Sequence, residues 1–154
     1  MVVMTESVEI RPAQDADLDR VALLWHVSAG AADDAPLQTP SIPELRERID
    51  AELADAWTLH VAWIEGELIG MLAVKKTERV LDQLYILPSF QRRGAGKALL
   101  NFAMEEMPAG FTLRTGLANY RARSFYEHMG LNFVSEGIHP RSGHPVCFYG
   151  WSAG

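Results

Sequence analysis

The chain has 154 residues, a formal charge of -6, 48% hydrophobic and 22% charged residues. That length and balance fit one globular domain spanning 1–154, not a disordered chain. The acidic excess excludes the basic footprint that nucleic-acid binding needs and attracts cationic substrates only weakly. No apolar run approaches the ~18 residues that span a bilayer. Residues 1–10 lack the basic and then apolar order of a signal peptide. Cys147, the single cysteine, allows no internal disulfide. A cytoplasmic protein with no membrane and no nucleic-acid partner is expected.

The alternation of Val8, Glu9 and Ile10 predicts a short strand from Ser7 to Arg11, stopped by Pro12. Leu18, Val21, Ala22 and Trp25 then fall on one helical face, which predicts a helix over 15–28. Ala29 to Pro40 reads as a loop. Ser41-Ile42-Pro43-Glu44 forms a capping box, and Leu45, Ile49 and Leu53 follow at a spacing of four, so a second helix covers 42–55. Thr58 to Ile64 and Leu68 to Lys75 form a hairpin around Glu65-Gly66-Glu67. Gly70, inside the second of these strands, marks a close approach of backbone or ligand. A third strand runs from Val80 to Leu87.

The stretch Leu84 to Leu100 then passes from strand through a turn into an amphipathic helix. Gln91-Arg92-Arg93-Gly94-Ala95-Gly96-Lys97 lies at its start. The first turn of a helix has backbone N–H groups without intrahelical partners and about half a positive charge. Glycines there let a ligand approach the backbone, which suits an anion, most often a phosphate. The dinucleotide fingerprint fails because Leu99 stands where its third glycine belongs. The Walker A pattern fails at Gln91 and Ala98. An ordinary glycine-rich strand-to-helix turn fits these few residues equally well.

Leu99, Leu100, Ala103, Met104 and Met107 line one stripe of this helix, and Pro108-Ala109-Gly110 ends it. A strand over Phe111 to Gly116 completes a strand–helix–strand unit with parallel pairing. Asn119 caps a helix from Tyr120 to Met129, ended by Gly130. Strands over Phe133 to Gly137 and Val146 to Trp151 flank the loop His139 to Pro145. Cys147 lies in an apolar strand and reads as a core thiol, not an acyl carrier. The five histidines are dispersed and complete no zinc site, so no metal is expected.

Gln91-x-x-Gly94-x-Gly96 after a strand ending Leu87-Pro88 resembles the pyrophosphate loop of the GCN5-related N-acetyltransferase (GNAT) family. Asn119-Tyr120-Arg121-Ala122-Arg123-Ser124-Phe125-Tyr126-Glu127-His128-Met129-Gly130-Leu131 resembles the family's Asn-x-x-Ala-x-x-Phe-Tyr-Glu-x-x-Gly-Phe segment, with Leu131 replacing the usual phenylalanine. The order of elements matches from Val8 to Trp151.

The resemblance implies an α/β (α+β) fold, with a mixed, mostly antiparallel sheet of about six to seven strands and helices on both faces. It implies acetyl-CoA as co-substrate and direct acetyl transfer to a primary amine in a ternary complex. Pyrophosphate would sit on Arg92, Arg93, Gly94, Ala95, Gly96 and Lys97, with Gln91 beside it. The pantetheine arm would lie between splayed parallel strands, pairing near Ile86 and Leu87 and touching Asn119. A backbone N–H near Ile86 would stabilise the oxyanion. Tyr126 would contact the coenzyme sulfur and act as general acid. Asp82 is the candidate base, with Gln83 and His60 nearby. The acceptor expected is a small-molecule amine. A protein or peptide amine is the alternative, as is a non-catalytic acyl-CoA-binding module. Ala29 to Pro40, Lys75 to Arg79 and His139 to Pro145 are the segments that would choose the acceptor. A homodimer is common in the family.

Overall fold

The computed structural model describes residues 2–5 and 7–153. Eight strands form one sheet in the order β1-β2-β3-β4-β5-β6-β8-β7. They are β1 (Val3–Thr5), β2 (Val8–Pro12), β3 (Thr58–Ile64), β4 (Glu67–Lys75), β5 (Val80–Ile86), β6 (Phe111–Gly116), β7 (Asn132–Ile138) and β8 (Pro145–Trp151). The seven expected strands are all present. The eighth, β1, adds an edge to β2 and carries no alternation long enough to read from sequence. Every pairing is antiparallel except β5 with β6.

Helices α1 (Leu18–Gly30) and α2 (Ile42–Asp55) cover one face, and α3 (Ala95–Glu106) and α4 (Tyr120–His128) the other. Two apolar clusters follow from this layering. Val21, Trp25, Leu45, Ile49, Trp57 and Met71 pack under the first pair. Leu72, Ile86, Leu99, Phe102, Leu113 and Tyr149 pack under the second. Asp15–Asp17 is a separate 3-10 turn that leads into α1. Ser41 and Glu44 exchange the expected capping bonds at the start of α2. Leu53 is 37% exposed although Leu45 and Ile49 are buried. At about 100° per residue, steps of four rotate about 40° each, so the third member rolls off the buried face.

Gly70 is a packing position. A Cβ there would come within 2.7 Å of Ile86 Cδ1 and 3.2 Å of Leu99 Cδ1. The strand interior lets α3 and the end of β5 sit down on β4. Opposite Ala73 and Val74 the register steps from Gln83 to Leu81, so Asp82 is the extra residue of a β-bulge. A bulge resets the alternation of a strand. It turns Leu84 and Ile86 towards the α3 side and Tyr85 towards the α1 side.

Candidate active site

β5 and β6 are paired only at Val80↔Thr112 and Leu81↔Leu113. Beyond that point β6 continues against β8, and the rest of β5 loses its partner on that side. A wedge-shaped gap opens between two parallel strands. The Leu87 N–H donates to Ile69 O at 2.8 Å, across to β4. Backbone groups of neighbouring residues in a strand alternate sides, so those of Ile86 face the gap. The Ile86 carbonyl accepts from Gln91 Nε2 at 3.3 Å and from the buried Ser28 Oγ at 3.4 Å. Its N–H is the donor at the mouth of the gap. Leu87 differs from expectation. Its N–H is committed to β4 and its carbonyl accepts from Phe90 N at 2.9 Å. Its side chain packs between both apolar clusters, so it shapes the site without a free backbone donor.

After β5, Pro88–Phe90 makes one 3-10 turn and the chain reaches α3 through two left-handed residues. Arg92 has φ 66° and Gly94 has φ 85°. These conformations turn successive amides towards one point. Ser41 and Asn119 cap α2 and α4 with side-chain oxygens, but Gly94 gives α3 no side-chain cap. The amides of Ala95, Gly96 and Lys97 are therefore open to an external acceptor. Arg92, Arg93 and Lys97 are exposed around them and form no carboxylate ion pair among the described residues. The Arg93 guanidinium lies 5.3 Å above the Phe90 ring, which orients it. Cations and unpaired amides at the start of a 12-residue helix fit a pyrophosphate.

On the far side of the gap, Asn119 Oδ1 accepts from Ala122 N at 3.4 Å and fixes the start of α4. Two turns on, Tyr126 is buried, with its ring 5.5 Å from Phe125 and 6.1 Å from Tyr149. Burial pushes its hydroxyl well above the ordinary phenol range, and Tyr85 adds to the effect. Burial also raises Tyr85, with Trp25 acting in the opposite direction. Both phenols stay protonated at neutral pH.

The bulged Asp82 is half-buried and accepts from Trp57 Nε1 at 2.7 Å. Trp57 packs on Trp25 with ring centroids 5.7 Å apart. Asp82 thus belongs to the α1–α2 face. His60 does not join it. It is buried against Phe102 of α3, centroids 4.5 Å apart, where burial lowers its basicity. Cys147 is fully buried in the core, and burial raises its thiol.

Two of the three expected specificity segments reach the site. The α1–α2 loop crosses to α4, where Asp33 accepts from the backbone N of Arg121 at 2.9 Å and from its Nε at 2.8 Å. Asp34 lies directly over Gly116 at the end of β6. The loop between β7 and β8 comes up opposite. Asp34, Leu117, Tyr120, His144 and Pro145 help line a cavity of about 200 Å³ between them. Residues 75–79 sit at the other end of β5, where Lys76 pairs with Glu106, so the β4–β5 turn is away from Ile86.

Ser28, Trp57 and Tyr85 border the site but belong to neither sequence motif. Among the described residues, no group of three or more His, Cys, Asp or Glu is placed to hold a metal, and no helix is long and apolar enough to cross a membrane.

Residues 25–131 match the model of the acetyltransferase (GNAT) family. The peptidyl-lysine N-acetyltransferase YiaC of Escherichia coli is 28% identical, with 92% of this chain and 95% of that protein covered. A probable N-acetyltransferase of Mycobacterium tuberculosis is 31% identical over 79% of this chain and 78% of its own length. The crystal structure of an acetyltransferase from Thermus thermophilus superposes with a TM-score of 0.78 at 20% identity, covering 99% of this chain and all of that one. With the family matched over most of its length and the fold shared end to end, this chain belongs to the GNAT family of acetyl-CoA-dependent N-acetyltransferases.

Proposed function

We propose that the protein transfers acetyl from acetyl-CoA to the primary amine of a small molecule by direct attack, with both substrates bound together. The observation that carries this reading is the β5–β6 gap. It has an open donor at Ile86, a protonated phenol at Tyr126, and the uncapped α3 at one end.

Acetyl-CoA supplies the acyl group as an activated thioester. The amides from Arg92 to Lys97, with the side chains of Arg92, Arg93 and Lys97, hold its pyrophosphate. Gln91 braces the loop against Ile86. The Ile86 N–H donates to the acyl oxygen as charge builds on it. The Tyr126 hydroxyl gives its proton to the departing sulfur. Asn119 sets the angle of α4 and so the height of that hydroxyl. Asp82 lies four residues from Ile86, roughly 13 Å along the strand at ~3.3 Å per residue. At that distance it receives the proton of the amine only through a chain of several waters, with Trp57 holding the carboxylate in place.

A peptide lysine is the second reading, favoured by the likeness to YiaC. Release of coenzyme A thiol, followed with amines and with lysine peptides, tests both. Turnover of small amines in preference to peptides is expected. Turnover of peptides alone would select the second reading. Tight coenzyme binding with no thiol release from either set would leave a binding module.

A further inference from the structure

The cavity between the α1–α2 loop and the start of α4 holds a carboxylate that the mechanism above does not use. Asp33 and Asp34 are neighbours in that loop with opposite fates. Asp33 accepts from the backbone N and Nε of Arg121, and Arg121 Nη2 donates to the Ala31 carbonyl at 3.2 Å. That fastening fixes where the loop crosses α4. Asp34 is half-buried and, among the described residues, has no hydrogen bond and no ion pair.

Contact with β6 sets the position of Asp34. A Cβ added at Gly116 would stand 1.6 Å from Asp34 Oδ2 and 2.7 Å from its Cγ. Gly116 has no left-handed φ, so the glycine serves space alone and lets the carboxylate lie on the backbone. The carboxylate helps line the cavity of about 200 Å³. Leu117, Ala118 and Pro145 supply apolar wall, and Tyr120 and His144 supply the rest. Among the described residues no lysine or arginine lines it. His144 is occupied, with Nδ1 on Ser142 Oγ and its ring stacked on His139 at 5.0 Å between centroids. A half-buried carboxylate with no partner on a cavity wall is completed by a cation, and an ammonium there forms charge-assisted hydrogen bonds.

Gly116 closes β6, one of the two strands of the gap. Counting on from Leu81↔Leu113, it falls level with Leu84, two residues short of Ile86. At ~3.3 Å per residue that offset is roughly 7 Å along the strands. Asp34 therefore meets a part of the acceptor other than the nitrogen at Ile86 and Tyr126. The nitrogen under attack must be neutral, whereas a group held by Asp34 keeps its charge.

Resting on the acetyltransferase reading, we propose that the acceptor carries a second amine that stays protonated, and that Asp34 binds this ammonium and selects diamines over monoamines. The apolar walls take the methylene chain between the two nitrogens. The overall charge of -6 steers the same class of molecule at long range.

The test uses products, so binding does not depend on turnover. The mono-N-acetyl derivatives of the straight-chain terminal diamines from propane to hexane each retain one ammonium. They are titrated against the coenzyme A complex, each beside the N-acetyl amino alcohol of the same length. At least one cation should bind tenfold or more tightly than its alcohol. Asp34→Asn should bring that ratio within twofold of one. Gly116→Ala, which keeps the carboxylate but displaces it, should also reduce the ratio. Asp55→Asn removes the same charge at the last residue of α2 and should leave the ratio unchanged. Alcohols binding as well as cations at every length, a ratio that survives Asp34→Asn, or an equal loss in Asp55→Asn would overturn the proposal. Coenzyme A is titrated alone as well. A cation preference without coenzyme binding would overturn the acetyltransferase reading and leave the ammonium site standing.

Discussion

Gln91 donates its side-chain amide to the carbonyl of Ile86 at 3.3 Å, tying the glycine-rich loop to the end of β5. The loop and the acyl site are thereby one unit. Replacing Gln91 with leucine removes the donor but keeps the bulk. The expected result is a coenzyme A dissociation constant raised about 10-fold, matching the loss of roughly 1.4 kcal/mol, the upper range for one neutral hydrogen bond. Calorimetric titration checks it, and melting should move little because the residue is exposed.

Tyr126→Phe should lower kcat by about 100-fold or more, the lower range for a positioned general acid. Coenzyme binding should be retained, since the ring stays in its pocket. The phenol also predicts an alkaline effect. Its pKa in the fold is raised by burial, so above pH ~10 the unfolded chain releases a proton that the folded chain keeps. Its contribution is complete below that pH and is lost as pH rises beyond it. Melting followed from pH 8 to 11 should fall less steeply in Tyr126→Phe than in the parent.

Two glycines separate conformational from steric demand. At Gly94 an added Cβ meets nothing within 4 Å, but φ is 85°. Gly94→Ala should cost ~1–2 kcal/mol through backbone strain alone and loosen the amides that face the anion. At Gly70 the φ is ordinary, and the cost comes from Ile86 Cδ1 at 2.7 Å. That atom is the end of a flexible side chain, so Gly70→Ala should cost about 1 kcal/mol, the low end for overpacking. The displaced Ile86 should raise the KM for acetyl-CoA. Denaturant melts paired with kinetics distinguish the two.

Asn119→Ala removes a helix cap at a cost of ~1 kcal/mol. Asn119→Ser restores a capping oxygen with a shorter reach. Recovery of stability together with recovery of coenzyme affinity would mark Asn119 as a cap only. Recovery of stability alone is expected, because the amide also borders the gap.

Asp33 and Arg121 fasten the α1–α2 loop to the start of α4. Backbone and side-chain hydrogen bonds from Arg121 hold the Asp33 carboxyl below its ordinary range. The fastening is therefore complete above the ordinary aspartate pKa and is lost as pH falls through the depressed one. Asp33→Asn should raise the acceptor KM several-fold, leave acetyl-CoA binding unchanged and quicken proteolysis within 31–40. Both surfaces are exposed, so global melting should hardly move.

The residues by themselves determined the order of elements, the boundaries of α2 and the two stretches proposed to carry the coenzyme chemistry. Those features are local: an alternation, a capping box, glycines at fixed spacing. Tertiary structure decided the rest. The bulge at Asp82 reversed the facing of β5, and no periodicity announces an extra residue in a strand. Leu87 committed its N–H to the Ile69 carbonyl and its own carbonyl to the Phe90 N–H, a matter of which edge of β5 meets β4. His60 went under α3, because β3 is covered on both faces and burial chose the side. Trp57 met Asp82 and Asp33 met Arg121, through hydrogen bonds spanning 25 and 88 positions. Such meetings depend on how helices are laid across a sheet, an arrangement set by packing and visible only once the chain is folded.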